Sequence, residues 1–249
     1  MKNQVYSALF GMILLFSSCV SSKKMVYFQD TENSQLKETI VNFEPKIQAG
    51  DLISINVSAL EAEAALPFNL YETASVTNPK PLTYLVDSDG EINFPVVGSL
   101  KVAGFTTKEL TRNVTSKLTE YLVKPIVNIR LVNFKVTVMG EVKSPGTYTI
   151  PNERITIIEA LGLAGDLNIQ GKRSTVMLIR EQEGKRTFVT MDLTNKKLFN
   201  SPYYYLAQND VLYVEPNKTK INSSVVGSNT SVIISTVSIL ITLLAILTR

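Results

Sequence analysis

Alternating apolar and polar residues predict short β-strands in the first half of the chain. Ile53, Ile55 and Val57 fall on one face of a strand that follows a Gly-Asp turn. Two further strands are predicted over 82–86 and 91–97. An Asp-Gly step separates these two strands and is typical of a β-hairpin, so we expect them to pair with each other.

Apolar residues recur at helical spacing in two segments. The first segment predicts a helix that ends at Leu122, with Thr106 or Thr107 as its N-cap. The second predicts a helix over 155–163. Between the first two strands, the proline-containing segment 61–81 is expected to form an irregular loop.

The second half of the chain is predicted to be richer in strands. One long strand is expected over 126–140, and a second structural unit begins inside it. Pro145-Gly146 predicts a turn, because proline fixes φ and glycine permits a positive φ. Further strands are predicted over 175–180, 186–193, 203–206 and 210–214.

These elements predict an α+β protein made of two small domains, over 43–134 and 135–216. The first domain has the order β, loop, β-hairpin, α, β. The second has a small mixed sheet wrapped on one helix, which is a β-grasp-like plan. A connector over 217–230 follows.

The start of the chain has the pattern of a bacterial lipoprotein signal. A positive residue, a short apolar run and two serines precede Cys19, which resembles a lipobox. We therefore predict a signal peptide over 1–18, acylation of Cys19 and a polar tether over 19–42. An ordinary signal peptide with an incidental cysteine is the alternative.

The end of the chain is an uncharged apolar segment of 18 residues, 231–248. As a helix it is about 27 Å long at 1.5 Å per residue. A bilayer hydrocarbon core is roughly 30 Å thick. We therefore predict a transmembrane helix.

Small hydroxyl residues recur in this segment at alternating spacings of three and four. Such spacing places them along one face of a helix. One interpretation is that this face, called the hydroxyl seam, lines a water-filled pore or packs against other helices in a bundle. The alternative is a simple anchor whose hydroxyls bond the carbonyl groups one turn earlier. The candidate pore-lining residues are Ser231, Ser235, Ser238 and Thr242.

The composition excludes several classes of function. The chain has no His and one Cys, so the commonest zinc ligand, general base and triad partner are missing. A net charge of +3 without a basic stripe argues against a nucleic-acid partner. The turn over 87–90 lacks the bidentate Glu of an EF-hand loop. We predict no metal and no cofactor.

Three consecutive tyrosines are a candidate sugar-contacting motif. On a strand, Tyr203 and Tyr205 share one face and Tyr204 lies on the other. One face is expected to join the core, and stacking on glycan rings is the alternative role of the exposed face. Nothing in the sequence marks two carboxylates as a glycosidase pair.

Several motifs resemble known domains. The segments IQAGDLISINV and LVDSDGEINFPVVGSLKVAGFTTKEL resemble the polysaccharide export domain. The segments GEVKSPGTYTI, ALGLAGD, VMLIR and QNDVLYVEP look like the soluble-ligand-binding β-grasp (SLBB) domain. Their order is similar to that of the outer-membrane proteins that export capsule and exopolysaccharide. The matching motif positions, all interpreted as structural, are Gly50, Asp51, Gly90, Pro95, Gly98, Gly104, Gly140, Glu141, Pro145 and Gly146.

The resemblance implies a non-enzymatic subunit of an outer-membrane translocon, with lipid-anchored domains in the periplasm. It implies a ring of identical subunits around a polysaccharide substrate, embedded in outer-membrane lipid. It also implies an inner-membrane co-polymerase or kinase as partner. The alternatives are a membrane-anchored periplasmic glycan-binding scaffold and, as a third reading, a glycan-processing enzyme.

Overall fold

The structure is a computed structural model that describes residues 25–29, 43–72, 79–182, 184–226 and 230–247. The predicted signal peptide and Cys19 lie outside the described residues, as does most of the predicted tether.

The first domain has a three-stranded antiparallel sheet of order β2-β1-β5 and a separate hairpin of β3 and β4. Ile53, Ile55 and Val57 are buried in its core, as their alternation predicts. Its elements are β1 (Leu52–Ser58), α1 (Ala62–Ala65), a 3-10 turn (Leu66–Phe68), β2 (Thr83–Leu85), β3 (Glu91–Phe94), β4 (Gly98–Lys101), α2 (Thr107–Leu118) and β5 (Ile126–Leu131).

Helix α2 begins at a capping box. The Thr106 hydroxyl accepts the N–H of Glu109, and the Glu109 carboxylate accepts the N–H of Thr106. Both orphan donors at the helix start are thereby satisfied. The buried stripe that packs on the sheet consists of Leu110, Val114 and Leu118. Thr106 is therefore the N-cap.

The predicted pairing across the Asp-Gly step is wrong. Strand β2 pairs with β1, with Leu85 opposite Leu52, while β3 pairs with β4, with Phe94 opposite Gly98. The turn itself forms, since Gly90 N–H donates to Asp87 O at 3.0 Å. The segment predicted as an irregular loop also differs, because it contains α1 and a 3-10 turn.

The second domain is a five-stranded mixed sheet of order β10-β9-β12-β6-β7, in which only β12 and β6 are parallel among the described pairs. Helix α3 packs on this sheet through Ile157, Ala160 and Leu161. The plan is the predicted β-grasp-like one. Its elements are β6 (Lys135–Gly140), β7 (Gly146–Thr149), β8 (Ile155–Thr156), α3 (Ile157–Leu163), β9 (Gly171–Gln182), β10 (Lys185–Met191), a 3-10 turn (Lys196–Asn200), β11 (Tyr205–Leu206) and β12 (Val211–Pro216).

The long strand predicted over 126–140 is two strands. It breaks after Leu131, so that β5 joins the first sheet and β6 joins the second. The three residues of the break are the linker between the domains.

Two helices follow the second domain: α4 (Lys218–Val226) and α5 (Thr230–Leu247). The end of the chain is therefore helical, as predicted. In the part of the chain that the structure describes, no helix combines the length and the apolar character needed to cross a membrane, so the predicted membrane span over 231–248 is not supported.

Replacing Gly140 by alanine is expected to destabilise the second domain by about 2–5 kcal/mol. Gly140 has φ +92°, and a Cβ there would overlap the Val214 carbonyl oxygen, the acceptor of the Glu141 N–H across β6 and β12. Left-handed backbone costs an alanine about 1–2 kcal/mol, and overpacking adds about 1–3 kcal/mol. Urea unfolding of the purified protein measures the loss.

Gly50 is the matched control. It has φ +85°, but a Cβ there would have no neighbour within 4 Å. Gly50→Ala should lower the free energy of unfolding by about 1–2 kcal/mol, which is the contribution of the left-handed backbone alone. Equal losses for the two variants would contradict a steric role of the Val214 carbonyl.

Candidate functional site

The first motif pair, Gly50-Asp51, forms a buried turn at the start of β1. The Gly50 N–H donates to Val86 O at 2.9 Å, and the Gln48 N–H donates to the Asp51 carboxylate at 2.8 Å. Asp51 is 1% exposed, and burial raises its pKa, opposed by hydrogen bonds from the Gln48 backbone and the Gln208 side chain. The turn has a structural role.

This turn meets the second domain through Asn133 in the linker. The Asn133 side chain accepts the Leu52 N–H at 2.9 Å and donates to Gly50 O at 3.3 Å. From the second domain, Gln208 Nε2 donates to Asn133 O at 2.8 Å, and Gln208 Oε1 accepts the Lys135 N–H at 2.8 Å. Asn133 thus joins the Gly50-Asp51 turn to Gln208, and these bonds couple the domains.

The remaining motif residues of the first domain also shape its backbone. Gly90, Gly98 and Gly104 all have positive φ, as expected of glycines at turns. Pro95 lies in the turn of the β3–β4 hairpin, where its carbonyl accepts the Val97 N–H at 2.7 Å. No motif glycine or Pro95 lines the interdomain cleft described below.

In the second domain, Glu141 links the sheet to helix α4. Its carboxylate accepts a hydrogen bond from Asn168 Nδ2 at 3.3 Å and lies 3.8 Å from Lys220 Nζ on α4. Pro145 and Gly146 lie at the β6–β7 turn, but Gly146 does not have the positive φ that its position suggested. Glu141 therefore contacts the first turn of α4, just after the chain leaves the second domain.

The tyrosine triplet does not alternate as predicted. Tyr203 and Tyr204 both pack against the core of the second domain, and only Tyr205 lies in a strand. Burial raises the pKa of Tyr204. Tyr205 instead stacks on Phe43 of the first domain, with ring centroids 5.6 Å apart and planes at 6°.

This stack lies at an open cleft of about 830 Å³ between the domains. The Arg154 guanidinium lies over the Tyr205 ring, 5.6 Å from its centroid. Arg130 of β5 also lines the cleft. Sequence reasoning missed this site, because its residues are far apart in the chain. Its full lining is Phe43, Glu44, Pro45, Thr107, Lys108, Arg130, Leu131, Pro151, Asn152, Glu153, Arg154, Thr156, Glu159 and Tyr205.

The short segment 25–29 also contacts the second domain. The Gln29 N–H donates to Thr194 O at 2.8 Å, and Tyr27 Oη donates to Asp166 Oδ1 at 2.5 Å. Burial and the hydrogen bond to Asp166 raise the pKa of Tyr27 well above its usual range, and Arg173 lies over its ring. The segment 25–29 is thus attached to the second domain.

Helix α5 presents a large apolar surface. The hydroxyl of Thr242 donates to Ser238 O at 2.8 Å, as expected if a seam hydroxyl bonds its own helix, while the side chain of Ser231 lies outside the described part. Ser235 and Ser238 are exposed on the seam. Ten large apolar side chains are 49–68% exposed: Val232, Ile233, Ile234, Val237, Ile239, Leu240, Ile241, Leu243, Leu244 and Ile246.

Among the described residues, no group of three or more Cys, Asp or Glu side chains is arranged to hold a metal ion.

Comparison with known proteins gives two family matches. Residues 41–132 match the family described as "Polysaccharide biosynthesis/export protein", and residues 134–214 match the SLBB domain. The chain is 29% identical over 199 residues to the EPS I polysaccharide export outer membrane protein EpsA of Ralstonia solanacearum, covering 75% of this chain and 52% of that protein.

A second relative has the same name in Ralstonia nicotianae, with 29% identity over 196 residues, 74% of this chain and 51% of that protein. The exopolysaccharide production protein ExoF of Rhizobium meliloti is 30% identical over 89 residues, 34% of this chain and 21% of that protein. The chain thus spans about half the length of the first two relatives.

Proposed function

The chain belongs to the polysaccharide export proteins that combine an export domain with an SLBB domain, and from that premise we propose that it is a subunit of an oligomeric outer-membrane assembly that exports a capsular or extracellular polysaccharide. The order of the two domains, followed by an exposed apolar helix, is the observation that supports this proposal most. The two relatives named as outer-membrane export proteins support the location.

Transport through such an assembly involves no covalent chemistry. Polysaccharide export proteins are not enzymes, and this chain accordingly has a transport function. In the proposed assembly, the α5 helices of several subunits pack around a polar path. The residues that line this path include Ser231, Ser235, Ser238 and Thr242. The family resemblance implies an inner-membrane co-polymerase or kinase as a partner, and this partner provides the energy for transport.

The second domain is the part of the chain next to the membrane in this proposal. Cys19 precedes Met25 by six residues, a reach of about 20 Å in an extended chain. Residues 27–29 contact the second domain, and α4 and α5 leave the same domain after Pro216. An acyl anchor at Cys19 and an assembly of α5 helices would both hold the second domain at the outer membrane.

Deleting the gene for this chain in its host tests the function. We expect polymer to accumulate inside the cell envelope and to disappear from the cell surface, with recovery when the full chain is restored. Fractionation should recover the protein with the outer membrane. Normal surface polymer in the deletion strain, or recovery with the inner membrane, would contradict the proposal.

Cys19→Ser should remove the acyl chains and mislocalise the protein. A single acyl chain binds membranes only marginally, whereas two or three hold a protein firmly. The described members of both hydrophobic cores all lie at position 27 or later in the chain, so the domains should remain folded. Metabolic labelling with palmitate measures the change. Labelling retained in the variant would show that the lipid is attached elsewhere and would contradict the acylation of Cys19.

A further inference from the structure

The cleft between the domains has an aromatic platform at its centre. The Phe43–Tyr205 stack joins the two domains, and Arg154 covers Tyr205 from the second domain. The volume of about 830 Å³ lies within the roughly 300–1,000 Å³ of small-molecule sites. An aromatic ring has an apolar face on which the C–H face of a sugar ring can pack, and a guanidinium beside it can donate hydrogen bonds to the sugar oxygens.

Each carboxylate that lines the cleft has a partner within the protein. Glu44 lies 3.8 Å from Lys108 Nζ, and Glu153 accepts from Thr107 Oγ1 at 3.4 Å. Glu159 accepts from both the N–H and the hydroxyl of Thr156 at 2.8 Å, because it completes the capping box of α3. These acidic groups therefore already have hydrogen-bond or ion-pair partners.

The guanidinium groups of the two arginines that line the cleft differ from these carboxylates in their partners. Within the described residues, no carboxylate lies at ion-pair distance from Arg130 or Arg154, although both line the cleft. Both side chains belong to exposed residues. A guanidinium fork binds a carboxylate with two parallel hydrogen bonds, which are stronger than bonds between neutral groups. The cleft thus has two guanidinium groups beside the stacked rings of Phe43 and Tyr205.

We propose that this cleft binds a segment of an acidic polysaccharide, with Arg130 and Arg154 holding uronate carboxylates and the Phe43–Tyr205 platform contacting a sugar ring. The proposal rests on the export function and adds the class of its substrate. Because residues of both domains form the cleft, a bound segment contacts both of them, on either side of the linker that contains Asn133.

Titration of the full-length protein in detergent tests the proposal. The probes are tetragalacturonate, whose four sugars each have a carboxylate, and maltotetraose, a neutral tetrasaccharide. Isothermal titration calorimetry should show saturable binding of tetragalacturonate and at least about tenfold weaker binding of maltotetraose, since a hydrogen bond to a charged group is worth about tenfold or more in affinity.

The double variant Arg130→Gln, Arg154→Gln should weaken tetragalacturonate binding about tenfold or more, without changing the melting temperature. Arg186→Gln is the matched control, because Arg186 is an exposed arginine on β10 outside the cleft and should leave binding unchanged. Phe43→Leu should weaken binding of the same probe through loss of the ring.

Three outcomes would overturn the assignment: no saturable tetragalacturonate binding, equal affinity for the two probes, or equal affinity in the double variant. A changed oligomer size in the double variant with unchanged affinity would assign the cleft to a contact between subunits. These results concern binding alone, so an export defect in the deletion strain would stand independently of them.

Discussion

Arg180→Met is expected to lower the free energy of unfolding by about 3–5 kcal/mol, because it leaves a buried carboxylate without its charge partner. Asp210 is 0% exposed, and Arg180 Nη2 lies 2.7 Å from Asp210 Oδ2 while Nε lies 3.0 Å from Oδ1. The same guanidinium donates to Tyr205 O at 3.0 Å and lies over the Tyr203 ring. The pair therefore holds the β11–β12 turn, and with it Tyr205, against β9.

The stability loss should depend on pH. Burial raises the pKa of Asp210, and the hydrogen bonds and charge of Arg180 oppose that rise. Without Arg180 the folded protein takes up a proton at Asp210 more readily than the unfolded chain does. A raised folded-state pKa stabilises the protein at low pH, and this stabilisation disappears as the pH rises through that pKa. The deficit of the variant should therefore be smaller at pH 5 than at pH 8.

Arg186→Met provides the control for the same substitution in an exposed ion pair. Arg186 lies 3.1 Å from Glu181, with side chains 60% and 64% exposed. Exposed pairs contribute about 0–1 kcal/mol. Urea unfolding at both pH values measures the two variants. Similar losses at positions 180 and 186 would mean that the buried pair is not what holds this turn.

Local patterns in the sequence predict much of the fold, and the misses have physical reasons. Alternation at Ile53, Ile55 and Val57 predicts β1, and Thr106 predicts the start of α2, because both depend on neighbouring residues. The Asp-Gly turn forms, but its flanking strands pair elsewhere. Strand pairing depends on distant partners, and β2 instead pairs with β1, the central strand of its sheet.

The break between β5 and β6 leaves a signal in the sequence that the prediction overlooked. Buried residues fall at odd positions in β5, at Val127 and Ile129, and at even positions in β6, at Val136 and Val138. One unbroken strand cannot change phase in this way without moving its apolar side chains to the other face. The phase change therefore indicates the linker.

The interdomain cleft could not be predicted from local patterns. Phe43, Arg130, Arg154 and Tyr205 come from four separate segments, and contacts between the domains, such as those of Asn133 and the Phe43–Tyr205 stack, bring them together. The tyrosine alternation failed for a related reason, since only Tyr205 of the three is in a strand. The positive φ of Gly50, Gly90, Gly98 and Gly104 depends on local turns, which can be predicted without knowing how the domains meet.

Leu240→Asp is expected to disrupt the assembly and abolish surface polymer, whereas Ser238→Asp should be tolerated. The two residues are two positions apart, about 200° around the helix, so Leu240 lies opposite the hydroxyl seam. Leu240 is 55% exposed in the single chain, and no described side chain of α5 belongs to either hydrophobic core, so the domains should stay folded in both variants.

The two substitutions place the same charge in different surroundings in the proposed assembly. A carboxylate buried at an apolar contact costs several kcal/mol, while water in a polar path solvates it. Particle size in detergent and surface polymer measure the outcome, with Ser238→Asn showing whether repulsion among aspartates contributes. In addition, Ser238→Cys should react with a membrane-impermeant thiol reagent in intact cells and Leu240→Cys should not. Equal damage by both aspartates, or equal protection of both cysteines, would mean that the seam does not line an open path.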